Sequence, residues 1–186
     1  MEDKILIIFD DTNEKSEIIK DVIGDKGFGD VIVKKRRLEV YLHESLKKIF
    51  SDFTFLSVNS FFEFRDLVNK IEKFDENTRI LHFFSNFIIS DIEKSALALK
   101  KILFIEKPYR VLSGNTTSLA MFKDINSYSK FLGASITEKS TFCAVPKIED
   151  SFEIEGLTNI GIVGNFIQVV AGNFDYRYFN SLHGDE

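Results

Sequence analysis

Two adjacent aspartates, Asp10 and Asp11, stand where the first apolar run of the sequence ends. That run, ILIIF at residues 5–9, is predicted to be a strand covered on both faces, because it is continuous and rich in isoleucine. Open α/β sheets bind ligands at the carboxyl ends of their strands, where carboxylates can hold Mg²⁺. The pair is therefore a candidate ligand or metal site. The structural alternative is that Asp11 or Thr12 caps a following helix.

The same aspartates also suggest an aspartate-based phosphotransferase of the haloacid-dehalogenase type, whose pattern is D-x-D-x-T. The residues present are Asp10, Asp11 and Thr12, so their spacing differs from that pattern. No glycine follows the strand until Gly24. Side chains therefore fill the space in which a glycine-rich loop lets backbone N–H groups approach a phosphate. A strand end is the favoured interpretation.

A basic run, Lys34, Lys35, Arg36 and Arg37, is the densest positive charge in the chain and follows a predicted strand at residues 31–33. Within this basic run, Lys34 is the residue that we expect to contact the phosphate of a nucleotide or sugar phosphate. Side chains alternate between the two faces of a strand, so four consecutive basic residues cannot all face one ligand. A solvated surface run is the favoured alternative.

The three histidines and the single cysteine show no local pattern of a catalytic or metal site. His82 lies within the predicted strand RILHFF (79–84), and we expect a core histidine whose hydrogen bonds are satisfied. Cys143 lies in TFCAV (141–145) and is expected to be a buried strand residue, with a nucleophile as the alternative. A single cysteine excludes an internal disulfide and a multi-cysteine zinc site.

The composition is that of an ordinary globular protein, with 44% apolar residues, 28% charged residues and a net charge of −5. Acidic and basic residues are interspersed, which argues against nucleic acid as a partner. The first residues, MEDK, are not those of a signal peptide. No apolar run approaches the ~18 residues that a membrane span requires. We therefore expect a cytoplasmic protein.

Predicted strands and helices alternate as far as residue 132. The strands are predicted at 4–9, 31–33, 53–58, 79–84 and 118–122, and the helices at 13–23, 42–50, 60–74, 92–103 and after Asp124. This alternation predicts an α/β fold with a mostly parallel, Rossmann-like sheet and helices on both faces. The last third contains short apolar runs broken by glycines, which predict an irregular, strand-rich region with a helix at 165–171.

We expect one α/β domain over residues 1–186, because the length is that of a single domain. The last residues, GNFDYRYFNSLHGDE (172–186), remain rich in aromatic side chains to within seven residues of Glu186. Natural termini are usually more polar. This predicts that the chain is the N-terminal part of a longer multidomain protein.

The order of elements resembles that of the sugar-nucleotidyltransferase family, whose domains share the GT-A type of α/β fold. The stretch ILIIFDDTNEK (5–15) stands at the place of the first strand and nucleotide loop of that family. RILHFFSNFIIS (79–90) resembles the strand that ends in a Mg²⁺-binding aspartate, with Asn86 at the place of the aspartate. NIGIV (159–163) resembles the sugar-contacting stretch N-x-G-h-[YW] and keeps Asn159.

The resemblance implies a cleft in which Asp10 and Asp11 orient a metal or ribose hydroxyls, Lys34 binds a phosphate, and Asn86 and Asn159 bind sugar hydroxyls. Neither the glycine loop nor the metal carboxylate is present, so the resemblance implies a member that keeps the fold without the chemistry. The stretch 172–186 also resembles a segment of multidomain proteins of bacterial capsule and surface-polysaccharide synthesis. In those proteins a nucleotidyltransferase-like domain precedes a kinase-like domain.

Two alternatives remain open. One is an active enzyme, either a sugar-phosphate nucleotidyltransferase that uses Mg²⁺ or an aspartate-based phosphotransferase with Asp10 as nucleophile. The other is a noncatalytic module that docks a neighbouring catalytic domain through exposed aromatic side chains. The candidates for that patch are Phe174, Tyr176, Tyr178 and Phe179.

Overall fold

The computed structural model describes residues 4–171 of the chain as a mixed α/β structure. In chain order, its strands are β1 (Ile5–Asp10), β2 (Ile32–Val33), β3 (Arg36–Arg37), β4 (Thr54–Val58), β5 (Arg79–Phe84), β6 (Phe87–Ile89), β7 (Tyr109–Ser113), β8 (Thr116–Phe122), β9 (Ser151–Glu153) and β10 (Leu157–Asn159). Its α-helices are α1 (Glu17–Ile23), α2 (Leu38–Ile49), α3 (Glu63–Ile71), α4 (Ile92–Leu99), α5 (Ile125–Glu138), α6 (Thr141–Ala144) and α7 (Val163–Ala171).

Six strands form the central sheet, in the order β4-β1-β5-β8-β7-β9. Strand β1 pairs in parallel with β4 and β5, and β7 pairs in parallel with β9, whereas β8 is antiparallel to both of its neighbours. The predicted mostly parallel α/β sheet is therefore confirmed. Because β4, β1 and β5 are parallel, their carboxyl ends share one edge, which is where such sheets bind ligands.

Helices cover both faces of this sheet. On one face, the ring of His82 in β5 contacts the rings of Tyr128 and Phe131 in α5. On the other face, Phe55 of β4 stacks on His43 of α2, with ring centroids 4.7 Å apart. Strand register and the alternation of side chains place these contacts on opposite faces. Strand β1 is accordingly buried along its whole length, as its continuous apolar run predicted.

The first helix begins later than the sequence predicted. It starts at Glu17, and its N-cap is Ser16, whose hydroxyl accepts a hydrogen bond from the N–H of Ile19 at 3.4 Å. The prediction that Asp11 or Thr12 caps this helix is wrong, because both residues make other hydrogen bonds. The residues between β1 and Ser16 instead form a loop without helical structure.

The basic run does not follow a strand of the central sheet. Strands β2 and β3 form a separate antiparallel hairpin, and Lys34 and Lys35 make its turn with φ angles of 49° and 69°. Two successive residues with positive φ are the geometry of a tight hairpin turn whose twist matches that of its strands. The expectation that the run at 31–33 belongs to the main sheet is therefore wrong.

The stretch TFCAV is a helix and not a strand. Residues 141–144 form the short helix α6, and the hydroxyl of its N-cap, Ser140, accepts from the N–H of Cys143 at 3.2 Å. Only Thr141 and Ala144 of this helix are buried. These two residues are three positions apart and therefore lie on the same face of the helix, which packs against the interior. Cys143 lies on the outer face and is exposed, so the prediction of a buried strand cysteine is wrong.

The last third adds one strand, β9, to the central sheet, and its strand β10 pairs antiparallel with β6 in a separate two-stranded ribbon. The predicted helix at 165–171 is confirmed as part of α7. This helix buries Phe166 and Val169 in a second apolar cluster, outside the main core. Among the described residues, every helix is too short or too polar to span a lipid bilayer. The aromatic residues predicted to form an exposed patch lie outside the described residues.

Candidate ligand-binding site

A cleft of about 560 Å³ opens at the carboxyl ends of β1 and β5. Its walls are the loop after β1, the junction of α5 with α6, and the segment after β10. The lining includes Asn13, Phe61, Asn86, Lys139, Phe142 and Asn159. A larger cavity of about 930 Å³ lies at the opposite, amino ends of β1 and β4. The smaller cleft is the candidate ligand site, because parallel sheets bind ligands at the carboxyl ends of their strands.

The ribbon of β6 and β10 brings Asn86 and Asn159 together in this cleft. Nδ2 of Asn86 donates a hydrogen bond to Oδ1 of Asn159 at 3.0 Å, and the N–H of Gly161 donates to the same oxygen at 2.8 Å. A backbone N–H can only donate, so it fixes which amide atom of Asn159 is the oxygen. The structure therefore brings together two predicted site residues that are 73 positions apart in the chain.

The carboxylate of Asp10 is buried and does not line the cleft. Its Oδ1 accepts from the N–H and the hydroxyl of Thr12, at 3.0 and 2.6 Å. Its Oδ2 accepts from Nε2 of His82 at 2.8 Å and from the hydroxyl of Thr141. An ionised carboxylate has about four acceptor positions. Asp10 thus has its hydrogen-bonding capacity filled by the protein itself.

His82 links Asp10 to Tyr128 of α5, whose hydroxyl lies 2.7 Å from Nδ1 of the His82 ring. All three side chains are buried. An ionised Asp10 can only accept, so Nε2 of His82 carries a proton, and a neutral ring then accepts the hydroxyl proton of Tyr128 at Nδ1. The prediction of a core histidine with satisfied hydrogen bonds is confirmed.

The buried surroundings shift the pKa values of Asp10 and Tyr128 in opposite directions. Burial by itself raises the pKa of Asp10. Three other influences lower this pKa by more than burial raises it: the hydrogen bond from His82, the charge of that ring when protonated, and the hydroxyls of Thr12 and Thr141. The net pKa of Asp10 lies below its ordinary value, so the carboxylate is ionised at neutral pH. Burial, and then the negative charge of Asp10, raise the pKa of Tyr128 well above its ordinary value.

Alkaline pH is expected to destabilise the protein through Tyr128. The folded state keeps the proton, whereas the unfolded chain loses it above pH ~10. The free energy of unfolding should therefore fall by up to about 1.4 kcal/mol per pH unit above that point. Urea denaturation at several alkaline pH values measures this slope. The Tyr128→Phe variant lacks the titrating hydroxyl and should show a shallower slope; equal slopes would contradict the assignment.

Asp11 also turns away from the cleft. Its two carboxylate oxygens accept from the N–H groups of Phe28 at 3.0 Å and Gly29 at 3.1 Å, and so cap the helical turn at residues 28–30. A Cβ on Gly27 would overlap this carboxylate, so glycine at that position allows its close approach. Burial raises the pKa of Asp11, and the side chain of Ser85 and the two N–H donors offset only part of that rise.

Lys34 is not brought together with the other predicted site residues. It lies in the turn of the β2–β3 hairpin and does not line the cleft. The lysines that line the cleft are Lys15 and Lys139. The ammonium group of Lys15 donates to the carbonyl oxygens of Gly24, at 3.2 Å, and Lys26. Lys139 is exposed at the end of α5.

The cleft does not fit a Mg²⁺ ion. This cation is bound in proteins through carboxylates, and both aspartates at the end of β1 bind groups of the protein elsewhere. Asn86 offers only a neutral amide oxygen, and Glu14 is the acidic residue of the cleft lining. Within residues 4–171, no group of three or more His, Cys, Asp or Glu side chains is arranged to hold a metal.

Sequence reasoning missed several residues of this region. Asn13 could have been found from its place in the loop after the first strand. The contact between Asp10 and His82 also had a signal, because each is the polar member of an apolar strand and the two strands are neighbours. Thr141 gave no local signal, because it lies 131 positions from Asp10 in the chain and meets it only in the folded structure.

No protein-family model matches the sequence, and no curated protein matches it. Solved structures do match. A protein from Bacillus anthracis assigned as a glucose-1-phosphate thymidylyltransferase superposes with a TM-score of 0.61 over 92% of this chain and 96% of its own, at 10% sequence identity. The chain shares the mixed α/β fold of this protein.

Two further structures share this fold. CTP:phosphocholine cytidylyltransferase from Streptococcus pneumoniae matches with a TM-score of 0.54 and 8% identity, over 91% of this chain and 99% of its own. 4-Diphosphocytidyl-2C-methyl-D-erythritol synthase from Anaerococcus prevotii matches with a TM-score of 0.51 and 10% identity, over 92% and 98% of the two chains. At these identities the likeness establishes the fold. The residues of the cleft must carry any argument about function.

Proposed function

We propose that this chain is a nucleotidyltransferase-like domain that keeps the fold and its ligand cleft but does not catalyse metal-dependent nucleotidyl transfer. One observation carries the proposal: the carboxylates of Asp10 and Asp11 both accept hydrogen bonds inside the protein, and neither lines the cleft. The metal that would neutralise the charge of a transferred phosphoryl group therefore has no pair of carboxylates to bind.

The loop after β1 supports the same proposal. A phosphate-binding loop presents backbone N–H groups to its ligand. Here the N–H of Thr12 donates to Asp10, 3.0 Å away, and the side chains of residues 12–16 line the cleft. A triphosphate would meet side chains where a glycine-rich loop would offer its backbone.

The proposal includes a biological setting. We place the domain in the cytoplasm and in the synthesis of surface polysaccharides such as capsules, where it would bind a nucleotide or sugar phosphate beside a neighbouring catalytic domain. Two neighbours in fold are named for a sugar phosphate and for phosphocholine as substrates, which is consistent with this ligand class. The stretch 172–186, whose resemblance suggested the pathway, lies outside the described residues.

A phosphotransferase that uses Asp10 as nucleophile is the less supported alternative. A nucleophile must reach the phosphorus atom of its substrate, and Asp10 is 0% exposed. An Asp10→Asn variant of such an enzyme would lose turnover of a sugar phosphate. Turnover that persists in this variant would exclude Asp10 as nucleophile.

The central experiment is a thermal-shift titration with CTP, UTP and dTTP, each with and without Mg²⁺, together with an assay of nucleotidyl transfer to sugar phosphates. We expect that Mg²⁺ does not strengthen nucleotide binding and that no turnover occurs, because the cleft has no carboxylate pair to hold the metal. The pneumococcal phosphocholine cytidylyltransferase serves as the positive control. Micromolar, Mg²⁺-dependent binding accompanied by turnover would overturn the proposal.

A further inference from the structure

A groove of about 450 Å³ lies between α5 and the segment of residues 144–150, and we call it the α5 groove. Four residues of α5, spaced three or four apart and therefore on one helical face, form its first side: Ser127, Lys130, Phe131 and Ala134. Residues of the segment 144–150 and Pro108 form the other side. The α5 groove shares no lining residue with the cleft at the carboxyl ends of β1 and β5, so the two are separate.

Contacts of its walls define the two ends of the α5 groove. Near the last residue of α5, Nζ of Lys147 forms an ion pair with Glu138 at 2.9 Å. At the other end, the carbonyl oxygen of Asp150 accepts a hydrogen bond from the N–H of Arg110 at 2.9 Å. Arg110 lies at the beginning of β7, which pairs antiparallel with β8 and so begins beside the end of β8 that leads into α5. Glu149 and Asp150 are therefore near the start of α5.

The α5 groove carries charges of opposite sign at different places. Near the start of α5, Asp150 pairs with Nζ of Lys107 at 3.1 Å, and Glu149 lies close enough to act on the same ammonium group. One ammonium group and two carboxylates leave this end with a net negative charge. Lys130, in the middle of α5, is exposed and has no ion-pair partner among the described residues.

The remainder of the α5 groove is apolar. Ala134 lies one helical turn after Lys130, and Ile148 lies on the opposite side; both side chains are half-buried and so keep apolar surface in contact with water. Removing such surface from water is favourable. The volume of the groove is that of a small-molecule site, in which apolar walls are combined with a few placed polar groups.

We propose that the α5 groove binds a free α-amino acid that has an apolar side chain. The ammonium group of this ligand pairs with Glu149, its carboxylate pairs with Lys130, and its side chain covers Ala134 and Ile148. A fatty acid supplies only the negative charge and an alkylamine only the positive one, so each leaves one charge of the groove unmatched. This inference goes beyond the proposed function, because it concerns a different site and a ligand without phosphate.

The test is an NMR titration of the whole chain with L-phenylalanine and with L-leucine, and with glycine as the amino acid that lacks an apolar side chain. We expect saturable shifts of α5 amides with at least one of the two apolar amino acids and none with glycine at the same concentrations. Absence of saturable binding by both apolar amino acids, or equal binding of glycine, would overturn the inference.

Analogues that lack one charge test the two ion pairs. For L-phenylalanine these are 3-phenylpropionate and 2-phenylethylamine, and for L-leucine they are 4-methylpentanoate and 3-methylbutylamine. Each should bind about fivefold more weakly than its amino acid, since an ion pair at a groove edge contributes up to about 1 kcal/mol. An analogue that binds as tightly as its amino acid would show that the missing charge is not recognised.

Two variants test the residues. Lys130→Met removes the ammonium group and keeps an unbranched side chain, so it should weaken binding of the amino acid about fivefold. It should leave binding of the amine analogue unchanged, because that analogue has no carboxylate. Ala134→Leu fills the apolar part of the groove and should abolish saturable binding.

The matched control is Lys70→Met, at an exposed position of α3 outside the α5 groove, which should bind the amino acid like wild type. The inference fails if Lys130→Met also binds like wild type, or if it weakens the amino acid and the amine analogue equally. None of these ligands carries a phosphate or requires Mg²⁺, so such a failure leaves the proposed function standing.

Discussion

Replacing Asp10 with alanine is expected to lower the free energy of unfolding by roughly 3–5 kcal/mol. The change leaves Nε2 of His82 and the hydroxyl of Thr141 buried without the acceptor that both share in the native protein. Unpaired buried donors lose their bonds to water without replacement, which makes them costly. Urea denaturation at neutral pH measures the loss. Asp21→Ala, at an exposed position of α1, is the control and should stay within about 0.5 kcal/mol of wild type.

The contribution of Asp10 should also depend on pH. Its folded pKa is depressed, so the carboxylate contributes stability above the ordinary aspartate pKa of about 3.9, and this contribution is lost as the pH falls through the folded pKa. The alanine variant should lack this part of the acid dependence. A variant as stable as wild type at neutral pH, or with the same acid dependence, would show that Asp10 does not hold these side chains together.

A milder variant tests the same carboxylate if Asp10→Ala does not fold. Thr141→Val removes one of the four donors to Asp10 and keeps the shape of the side chain. The variant leaves one acceptor position of the buried carboxylate unfilled, so the free energy of unfolding should fall by about 1–2 kcal/mol. Urea denaturation at neutral pH measures this loss. An unchanged free energy of unfolding would show that the contact with Thr141 does not stabilise the buried carboxylate.

Gly156→Ala is expected to have the second large effect, a loss of about 2–4 kcal/mol in the free energy of unfolding. Gly156 has a φ of 91°, and a Cβ there would collide with the backbone carbonyl oxygen of Asp91. Its own carbonyl accepts from the N–H groups of Ser90 at 2.8 Å and Asp91 at 3.0 Å. A shift of this segment would displace β10, and with it Asn159, from β6. Chemical denaturation measures the loss, and the amide resonances of the cleft report the displacement.

The control for this variant is Gly114→Ala. Gly114 also has a positive φ, of 65°, but a Cβ there meets no atom within 4 Å. It should therefore show only the backbone strain, about 1 kcal/mol. Equal losses in the two variants would indicate that strain alone acts at Gly156 and that the contact with Asp91 contributes nothing.

The difference between local and tertiary information is clearest for the predicted site residues. Asn86 and Asn159 were predicted from the segments in which they stand, and the structure places them in hydrogen-bond contact. Asp10 and Asp11 also stand at the expected end of β1. Their side-chain directions could not be predicted, because they depend on His82 and on the N–H group of Phe28, which are distant in the chain. For Lys34, the sequence did not show that its strand would leave the main sheet.

The sequence by itself determined the strands and helices that have strong periodicity, and through their alternation the mostly parallel α/β sheet, because burial of continuous apolar runs is a local property of the chain. It also determined that no glycine-rich loop follows β1. Only the tertiary structure decided what the aspartates do. Partners for a buried carboxylate can come from anywhere in the chain. Here Thr141, 131 positions away, helps to hold Asp10 in the core and away from the cleft.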